Sequence, residues 1–159
     1  MQLEVRKGKV DDLPDVLSLI KELAFFEKEP NEVEVTVEEL ERDGFGENQL
    51  FQFFVAEADN VIVGMALYFV KYSTWKGKCI YLDDIIVREK FRRSKIGTKL
   101  FEAVIAETNK LKAKRLEWQV LDWNEPAIQF YKKYQAKFMK EWLTCRFTTE
   151  QLLKFNNQI

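Results

Sequence analysis

A strand followed by a basic turn and a helix, near the middle of the chain, constrains the fold more than any other stretch. Residues 80–87 are mostly apolar and rich in β-branched side chains, which is typical of a buried strand. Residues 96–105 carry apolar side chains at helical spacing. Arg92, Arg93 and Lys95 lie between the two, so cations surround the predicted start of the helix.

This arrangement predicts an anion site. The N-terminus of a helix offers unpaired N–H groups and the positive end of the helix dipole, and nearby basic side chains add to the attraction for phosphate. We interpret the turn as a cradle for a pyrophosphate. An ordinary strand-to-helix turn with solvated basic residues explains this stretch alone equally well.

The residues of this turn also follow a known pattern. Val87, Arg92, Gly97 and Leu100 are in the register of V-x4-R-x-x-G-x-G/A-x-x-L, so the chain resembles the GNAT superfamily of N-acetyltransferases, whose acetyl-CoA signature this is. Lys95 stands where the signature has its first glycine. G-x-G-x-x-G and P-loop motifs are absent, which argues against a dinucleotide or nucleoside triphosphate site. The predicted acetyl-CoA contacts here are Ile85, Ile86, Val87, Arg92, Arg93, Ser94, Lys95, Ile96, Gly97 and Thr98.

The composition excludes several kinds of catalytic site. The chain has 159 residues and no histidine, so Ser-His-Asp and Cys-His nucleophile systems are excluded, as are zinc sites that need imidazole. Two distant cysteines cannot complete a thiolate zinc site, and we expect no metal. Proton transfer must therefore use carboxylates, tyrosine, lysine, cysteine or water.

The cysteines and the hydropathy pattern bear on location. Cys79 and Cys145 lie in strand-like apolar runs, where isolated thiols are usually core residues of a protein in a reducing compartment, so we expect a cytoplasmic protein. No apolar run is long enough for a transmembrane helix, and the first residues have no signal-peptide pattern. We expect neither a membrane nor a nucleic acid as a partner.

Charge is unevenly distributed along the chain. Residues 27–47 contain nine acidic and two basic side chains, whereas residues 88–115 contain ten basic and three acidic ones. An acidic N-terminal lobe could attract a cationic substrate while the basic segment receives an anionic cofactor. Solvated helix faces would give similar counts.

The periodicity predicts a single domain, residues 1–159, of the α/β (α+β) class, with helices on both faces of a mixed sheet. Asp11 or Asp12 is expected to cap the first helix, Thr36 and Glu39 to form a capping box, and Asp59-Asn60 to turn a hairpin. The predicted strands are residues 2–7, 51–58, 61–71, 80–87, 115–121 and one or two within 137–147, and the later helices are residues 98–111 and 127–134.

Further motifs narrow the resemblance, which covers nearly the whole chain. Residues 21–24 (KELA), 43–47 (DGFGE), 81–84 (YLDD) and 120–126 (VLDWNEP), with the FYK of residues 130–132, resemble the spermidine/spermine (diamine) acetyltransferase branch, which includes thialysine acetyltransferases. The order of elements is also that of the GNAT fold, a mostly antiparallel twisted sheet. The resemblance implies Tyr131 as general acid, Asp83 as base through water, cofactor contacts from Asn124, Pro126 and Ala127, and substrate contacts from Phe26, Glu27 and Trp75.

Other interpretations of these residues remain open. Tyr131 and Trp75 could serve packing alone, and Asn124 could cap the helix that follows it. Asp83 and Asp84 are adjacent, so on a regular strand they would point to opposite faces, one of them toward the amine. The sequence does not decide which, and Asp84 is therefore also a candidate substrate contact.

The predicted reaction is direct attack of a small cationic amine on acetyl-CoA. The amine would be a diamine, a polyamine or a lysine-like amino acid. Ser73 and Thr74 replace the aspartate and proline that polyamine acetyltransferases carry before Trp75, and Gln135 replaces a helix-ending glycine. A protein or peptide amine acetyltransferase and a non-catalytic CoA-binding module remain alternatives.

The C-terminal part predicts assembly. Residues 137–147 are heavily apolar, and as an edge strand they would expose unpaired main-chain groups and aromatic surface. Pairing with a second copy would cover both, and the resemblance points the same way, since diamine acetyltransferases are homodimers. We therefore expect a homodimer in which Glu141 or Trp142 approaches the partner's amine site. The alternative is that this segment folds back into its own sheet.

Overall fold

In the computed structural model, which describes residues 2–156, five strands form one sheet in chain order. The first four strands pair antiparallel, and the fifth joins the fourth in parallel. This confirms the mixed, mostly antiparallel sheet that the sequence predicts. The strands are β1 (Leu3–Lys7), β2 (Gln52–Ala58), β3 (Val61–Ser73), β4 (Gly77–Val87) and β5 (Leu116–Glu117).

Within the described residues, five α-helices connect or follow the strands. They are α1 (Leu13–Phe26), α2 (Val37–Phe45), α3 (Ile96–Lys110), α4 (Glu125–Lys133) and α5 (Thr149–Asn156). Short 3-10 helices, Val10–Asp12 and Glu89–Phe91, precede α1 and α3.

The helices α1 and α3 lie on opposite faces of the sheet. Leu67 of β3 belongs to the buried core that α1 and α2 form against the sheet. The next residue, Tyr68, has its hydroxyl against the ammonium of Lys7, whose Nζ lies 2.7 Å from the carboxylate of Glu107 in α3. Because adjacent strand residues point to opposite faces, the predicted placement of helices on both faces is confirmed.

Two of the predicted local signals are present and one is not. Thr36 and Glu39 form the capping box of α2. The Asp59-Asn60 hairpin turn has φ of 48° and 65°, the left-handed values that a two-residue turn requires. Asp12 is the N-cap residue of α1, but its side chain makes no cap hydrogen bond and binds Arg6 at 2.8 Å instead.

The C-terminal part differs from the prediction. Residues 137–147 contain no strand, and Cys145, expected in a core, is exposed. Aromatic and β-branched composition favours a strand only where a partner edge is available, and no described strand pairs with this segment. The strand predicted for residues 115–121 is reduced to the two residues of β5, and α5 was not predicted.

The described residues up to Leu121 form one compact unit, and those from Asp122 onward form a second. The single domain therefore stays a prediction. Within residues 2–156, no helix is both long and apolar enough to cross a membrane.

Candidate active site

A β-bulge in β4 presents two adjacent carboxylates. Leu67 pairs with Asp84 and Tyr68 with Leu82, so Asp83 has no partner in β3. A bulge of this kind bends the strand and changes the direction of its side chains. The expectation that Asp83 and Asp84 point to opposite faces assumed an uninterrupted strand, and the bulge removes that assumption.

Glu27 joins these two residues to form what we call the carboxylate cluster (Glu27, Asp83 and Asp84). Burial, and then the charge of Asp83, raises the pKa of Glu27. Partial burial raises the pKa of Asp83, although much of this residue is still exposed to solvent. Burial, together with the charges of Asp83 and Glu27, raises the pKa of Asp84 to about 7. The three carboxyl groups are therefore close enough to repel one another.

No described residue neutralises the carboxylate cluster, since none of the ion pairs in residues 2–156 involves its members. Unpaired charges that share a partly buried place are costly, and a cation that enters from outside removes that cost. A carboxyl group with a pKa near neutrality can also accept a proton at neutral pH. The cluster can therefore attract an alkylammonium and take its proton.

Glu27 reaches this position at the end of α1. Its N–H donates to the carbonyl of Leu23 and closes the helix. Phe26, the last residue of α1, has its ring 5.2 Å from the guanidinium carbon of Arg92. The structure thus brings Phe26, one of the two predicted substrate contacts at the end of α1, next to the predicted cofactor residue Arg92.

The basic turn before α3 has the main-chain shape of an anion cradle. The helix begins at Ile96, two residues earlier than predicted, and the N–H groups of Ile96, Gly97 and Thr98 make no main-chain hydrogen bond within the described residues. Arg93 and Lys95 have φ of 65° and 60°, and alternating left-handed residues in a turn orient successive N–H groups toward one point.

Lys95 has a main-chain conformation that glycine adopts easily. It is the N-cap residue of α3 and lies in the left-handed region, which glycine adopts at little cost. The main chain of Lys95 is therefore left-handed although the residue has a side chain. Lys95 is exposed, and none of the ion pairs among residues 2–156 involves its ammonium.

Two glycines near the turn have different roles. A Cβ added to Gly64 would lie 2.8 Å from the carbonyl of Ile86, so Gly64 is needed for close packing of β3. A Cβ added to Gly97 would meet only Val87, at an ordinary 3.8 Å. Protein packing therefore does not require a glycine at position 97, and the space beside its Cα is open.

The strand β4 also has an open edge beside this turn. Within the described residues, β4 pairs with β5 only at Ile80 and Tyr81. The main chain of Ile85, Ile86 and Val87 therefore has no strand partner on that edge. Main-chain groups there are available to a bound acyl chain.

Arg92 and Arg88 connect the turn to the rest of the first unit. The Nε of Arg92 donates to the carbonyl of Val87 at 3.0 Å, so this part of the guanidinium braces the turn itself. Arg88 forms ion pairs with Asp15 at 3.2 Å and Glu22 at 3.3 Å, both on α1. Arg88 was not predictable as part of the site, because its partners lie far away along the chain and follow no motif.

The remaining predicted residues of the first unit lie in the β3–β4 hairpin. Trp75 is 77% exposed in the turn. The hydroxyl of Ser73 accepts hydrogen bonds from the N–H groups of Trp75 and Lys76, both at 3.2 Å, and so stabilises the turn. Ser73 supplies no negative charge there.

The second unit holds the other predicted residues. Asn124 caps α4, since its side chain accepts from the N–H of Ala127 at 3.4 Å, and Pro126 lies in the first turn of that helix. Tyr131 is buried on α4, and burial raises the pKa of its hydroxyl to about 12, which keeps it protonated at neutral pH. Glu141 is exposed.

Residues 14–136 match the family model described as "Acetyltransferase (GNAT) family". The chain belongs to the GNAT acetyltransferase family. It is therefore an N-acetyltransferase, as the signature and the resemblance predicted.

Among residues 2–156, no group of three or more His, Cys, Asp or Glu side chains is arranged to hold a metal ion.

The chain is also similar to individual acetyltransferases. It is 36% identical to the thialysine N-epsilon-acetyltransferase of Mus musculus over 159 residues, which covers 93% of this chain and 94% of the mouse protein. It is 31% identical to the spermidine/spermine N(1)-acetyltransferase-like protein 1 of Homo sapiens, covering 94% of this chain and 23% of that protein. The aminoglycoside N-acetyltransferase AAC(6')-Iy, solved in complex with CoA, has the same fold, with a TM-score of 0.73, 17% identity and coverage of 92% and 95% of the two chains.

Proposed function

We propose that this acetyltransferase transfers the acetyl group of acetyl-CoA to a primary amine of a small cationic substrate, namely a diamine, a polyamine or a lysine-like amino acid. The observation that carries the proposal is the carboxylate cluster, whose members repel one another and have no cation among the described residues. The names of the relatives, which include thialysine and spermidine/spermine acetyltransferases, support the same substrate class.

The carboxylate cluster would overcome the main chemical obstacle to the reaction, which is deprotonation of the amine. An alkylammonium has a pKa near 10.4 and must lose a proton before its nitrogen can attack, which costs roughly 4–5 kcal/mol at neutral pH. A carboxylate stabilises the cation on arrival and then accepts the proton, directly or through a water molecule. We assign the proton-accepting role to Asp83, as the resemblance implies, with Asp84 as an acceptor of suitable pKa beside it.

The basic turn and the open edge of β4 are our proposed acetyl-CoA site. The cations Arg92, Arg93 and Lys95, with the N–H groups of residues 94–98, would hold the pyrophosphate. Main-chain N–H groups at residues 85–87 would hydrogen-bond the thioester carbonyl as its oxygen gains charge. When bound, acetyl-CoA supplies the activated acyl group.

Residues of the second unit complete the proposed chemistry. Tyr131, protonated at neutral pH, would donate its proton to the departing thiolate. Asn124, Pro126 and Ala127 would contact the cofactor. These roles rest on the resemblance of the N-E-P-x-I-x-F-Y residues to the diamine acetyltransferase branch.

We also propose a homodimer, although the reasoning from an edge strand no longer applies. Residues 137–147 and α5 expose several large apolar side chains, among them Trp142, Leu143 and Phe147, which a second copy would cover. Glu141 would then approach the partner's amine site. A monomer mass in light scattering at micromolar concentration would contradict this proposal.

Both cysteines are free thiols, which supports a reducing compartment such as the cytoplasm.

A panel of amines assayed with acetyl-CoA, following release of the CoA thiol, tests the proposed function. We expect acetylation of free diamines or basic amino acids, and little of lysine within peptides. Preference for peptides would point to a protein amine acetyltransferase. No acetyl transfer to any amine would point to a binding module.

A further inference from the structure

A pair of opposite charges lies farther along the sheet from the carboxylate cluster. Phe69 pairs with Tyr81 in the β3–β4 ladder, and Tyr81 pairs with Glu117 of β5. Paired strand residues share a face, and so do residues two apart, which places Lys71, Tyr81 and Glu117 together. Their contacts agree with this, since the Nζ of Lys71 lies 5.5 Å from the Tyr81 ring centroid and 3.7 Å from a carboxylate oxygen of Glu117.

Tyr81 lies between this ion pair and the carboxylate cluster in the order of the ladder, since it pairs with Phe69, whereas Asp84 pairs with Leu67 and Lys71 comes two residues after Phe69. Burial raises the pKa of the Tyr81 hydroxyl, and the negative charges of Asp83, Glu117 and Asp84 raise it further. Charges of both the carboxylate cluster and the ion pair therefore act on this hydroxyl. Leu67 pairs with Asp84 and Phe69 with Tyr81, and these two β3 residues are two positions apart in an uninterrupted stretch of strand, which is roughly 7 Å. The cluster has an excess of negative charge, whereas Glu117 is shared between Lys71 and Arg115, which leaves an excess of one positive charge at the far end.

We propose that Lys71 and Glu117 recognise the α-carboxylate and α-ammonium of a basic amino acid, whose side-chain amine lies at the carboxylate cluster. The inference rests on the proposed function and selects one substrate class within it. The zwitterionic head group of an amino acid carries one charge of each sign, as this pair does. A polyamine has no carboxylate for Lys71.

The dimensions agree with a substrate of this length. Six bonds separate the side-chain nitrogen of lysine from its carboxylate carbon, and at roughly 1.5 Å per bond in a zigzag chain they span about 7.5 Å. That is close to the spacing of the cluster from Tyr81, over which the ammonium of Lys71 lies. Ornithine, one bond shorter, is also within the reach of the flexible Lys71 side chain.

The ion pair is loose enough to open for a ligand. The side chains of Lys71 and Glu117 are 44% and 33% exposed, and their charged atoms lie 3.7 Å apart. Exposed pairs contribute little to stability, so exchanging this contact for a ligand's charges costs little. The hydroxyl of Ser73, nearby in the hairpin, is neutral and bound to its own turn, so no added carboxylate offsets the charge of Lys71 there.

Three amines that differ by one group each test the inference. They are lysine, cadaverine, which is lysine without its carboxylate, and ε-aminocaproate, which is lysine without its α-amine. In the wild type, kcat/KM should be higher for lysine than for cadaverine. Lys71→Met should lower kcat/KM about tenfold for lysine and ε-aminocaproate, which is near the lower end of the range for loss of a charge-assisted contact. The kcat/KM for cadaverine should stay nearly unchanged. Lys71→Arg should retain the preference.

The controls separate charge recognition from folding. Lys76→Met removes the same charge from the turn of the same hairpin and should not change the ratio of lysine to cadaverine. Glu117→Gln should lower kcat/KM for lysine more than for ε-aminocaproate. Because cadaverine reports the intact active site, a variant that misfolds would lose all three activities together.

Two results would overturn the inference while leaving the proposed function intact. One is a wild-type preference for cadaverine over lysine. The other is a lysine to cadaverine ratio that Lys71→Met does not change. Failure to acetylate any of the three amines, or any other, would instead refute the proposed function.

Discussion

Replacing Asp84 with asparagine should stabilise this protein near pH 8 and have less effect near pH 5. The carboxyl of Asp84 has a pKa of about 7 in the folded protein and an ordinary value of 3.8. Between these values the folded protein holds a proton that the unfolded chain has released, so the stability of the wild type falls as the pH rises through this window. Asparagine does not titrate. The free energy of unfolding of the variant, relative to that of the wild type, should therefore grow from pH 4 to pH 7 and then level off.

The magnitude follows from the width of that window. The difference between 3.8 and about 7 is about three pH units, which corresponds to at most roughly 4 kcal/mol. Water reaches part of the residue and screens the repulsion, so we expect about 2 kcal/mol at pH 8. Urea unfolding of both proteins at several pH values measures this free energy directly.

Asp11→Asn removes an exposed carboxylate outside the cluster and should give no comparable gain. An Asp84→Asn variant that is less stable than the wild type at pH 8 would refute the reasoning. So would a gain that does not change with pH, because the cluster would then not hold the repelling charges.

Three further predictions concern single residues. Arg92→Ala should weaken acetyl-CoA binding by roughly 1–3 kcal/mol, and equal affinities for CoA in calorimetry would remove Arg92 from the phosphate site. Tyr131→Phe should lower kcat strongly with acetyl-CoA binding nearly intact, since only the transferable proton is lost, whereas a wild-type kcat would leave Tyr131 a packing role. Lys95→Gly should raise the free energy of unfolding by about 1 kcal/mol, because it relieves a left-handed lysine, and thermal unfolding checks this. A loss of stability would contradict it.

Local signals predicted much of the first unit because they depend on residues close together in the chain. The capping box at Thr36 and the turn at Asp59-Asn60 are of this kind, and both are present. The missed helix α5 had a similar signal, since Thr148 and Gln151 form reciprocal cap hydrogen bonds of 2.9 and 3.3 Å.

Features that depend on pairing between distant residues were not predictable from the sequence. The bulge at Asp83 arises from the register between β3 and β4, and the carboxylate cluster then adds Glu27 from the end of α1. The resemblance named these acidic residues, but only the structure shows that they repel one another. The strand predicted within residues 137–147 failed for a related reason, since composition does not supply a partner edge.

The pH dependence of kcat/KM for a small amine, at saturating acetyl-CoA, tests the central claim most directly, because this parameter reports the ionisation of groups in the free enzyme. We expect activity to rise with pH through an apparent pKa near 7, which belongs to the carboxylate cluster. This step should disappear in Asp84→Asn. An identical profile in the wild type and Asp84→Asn would contradict the claim that the carboxylate cluster receives the amine and its proton.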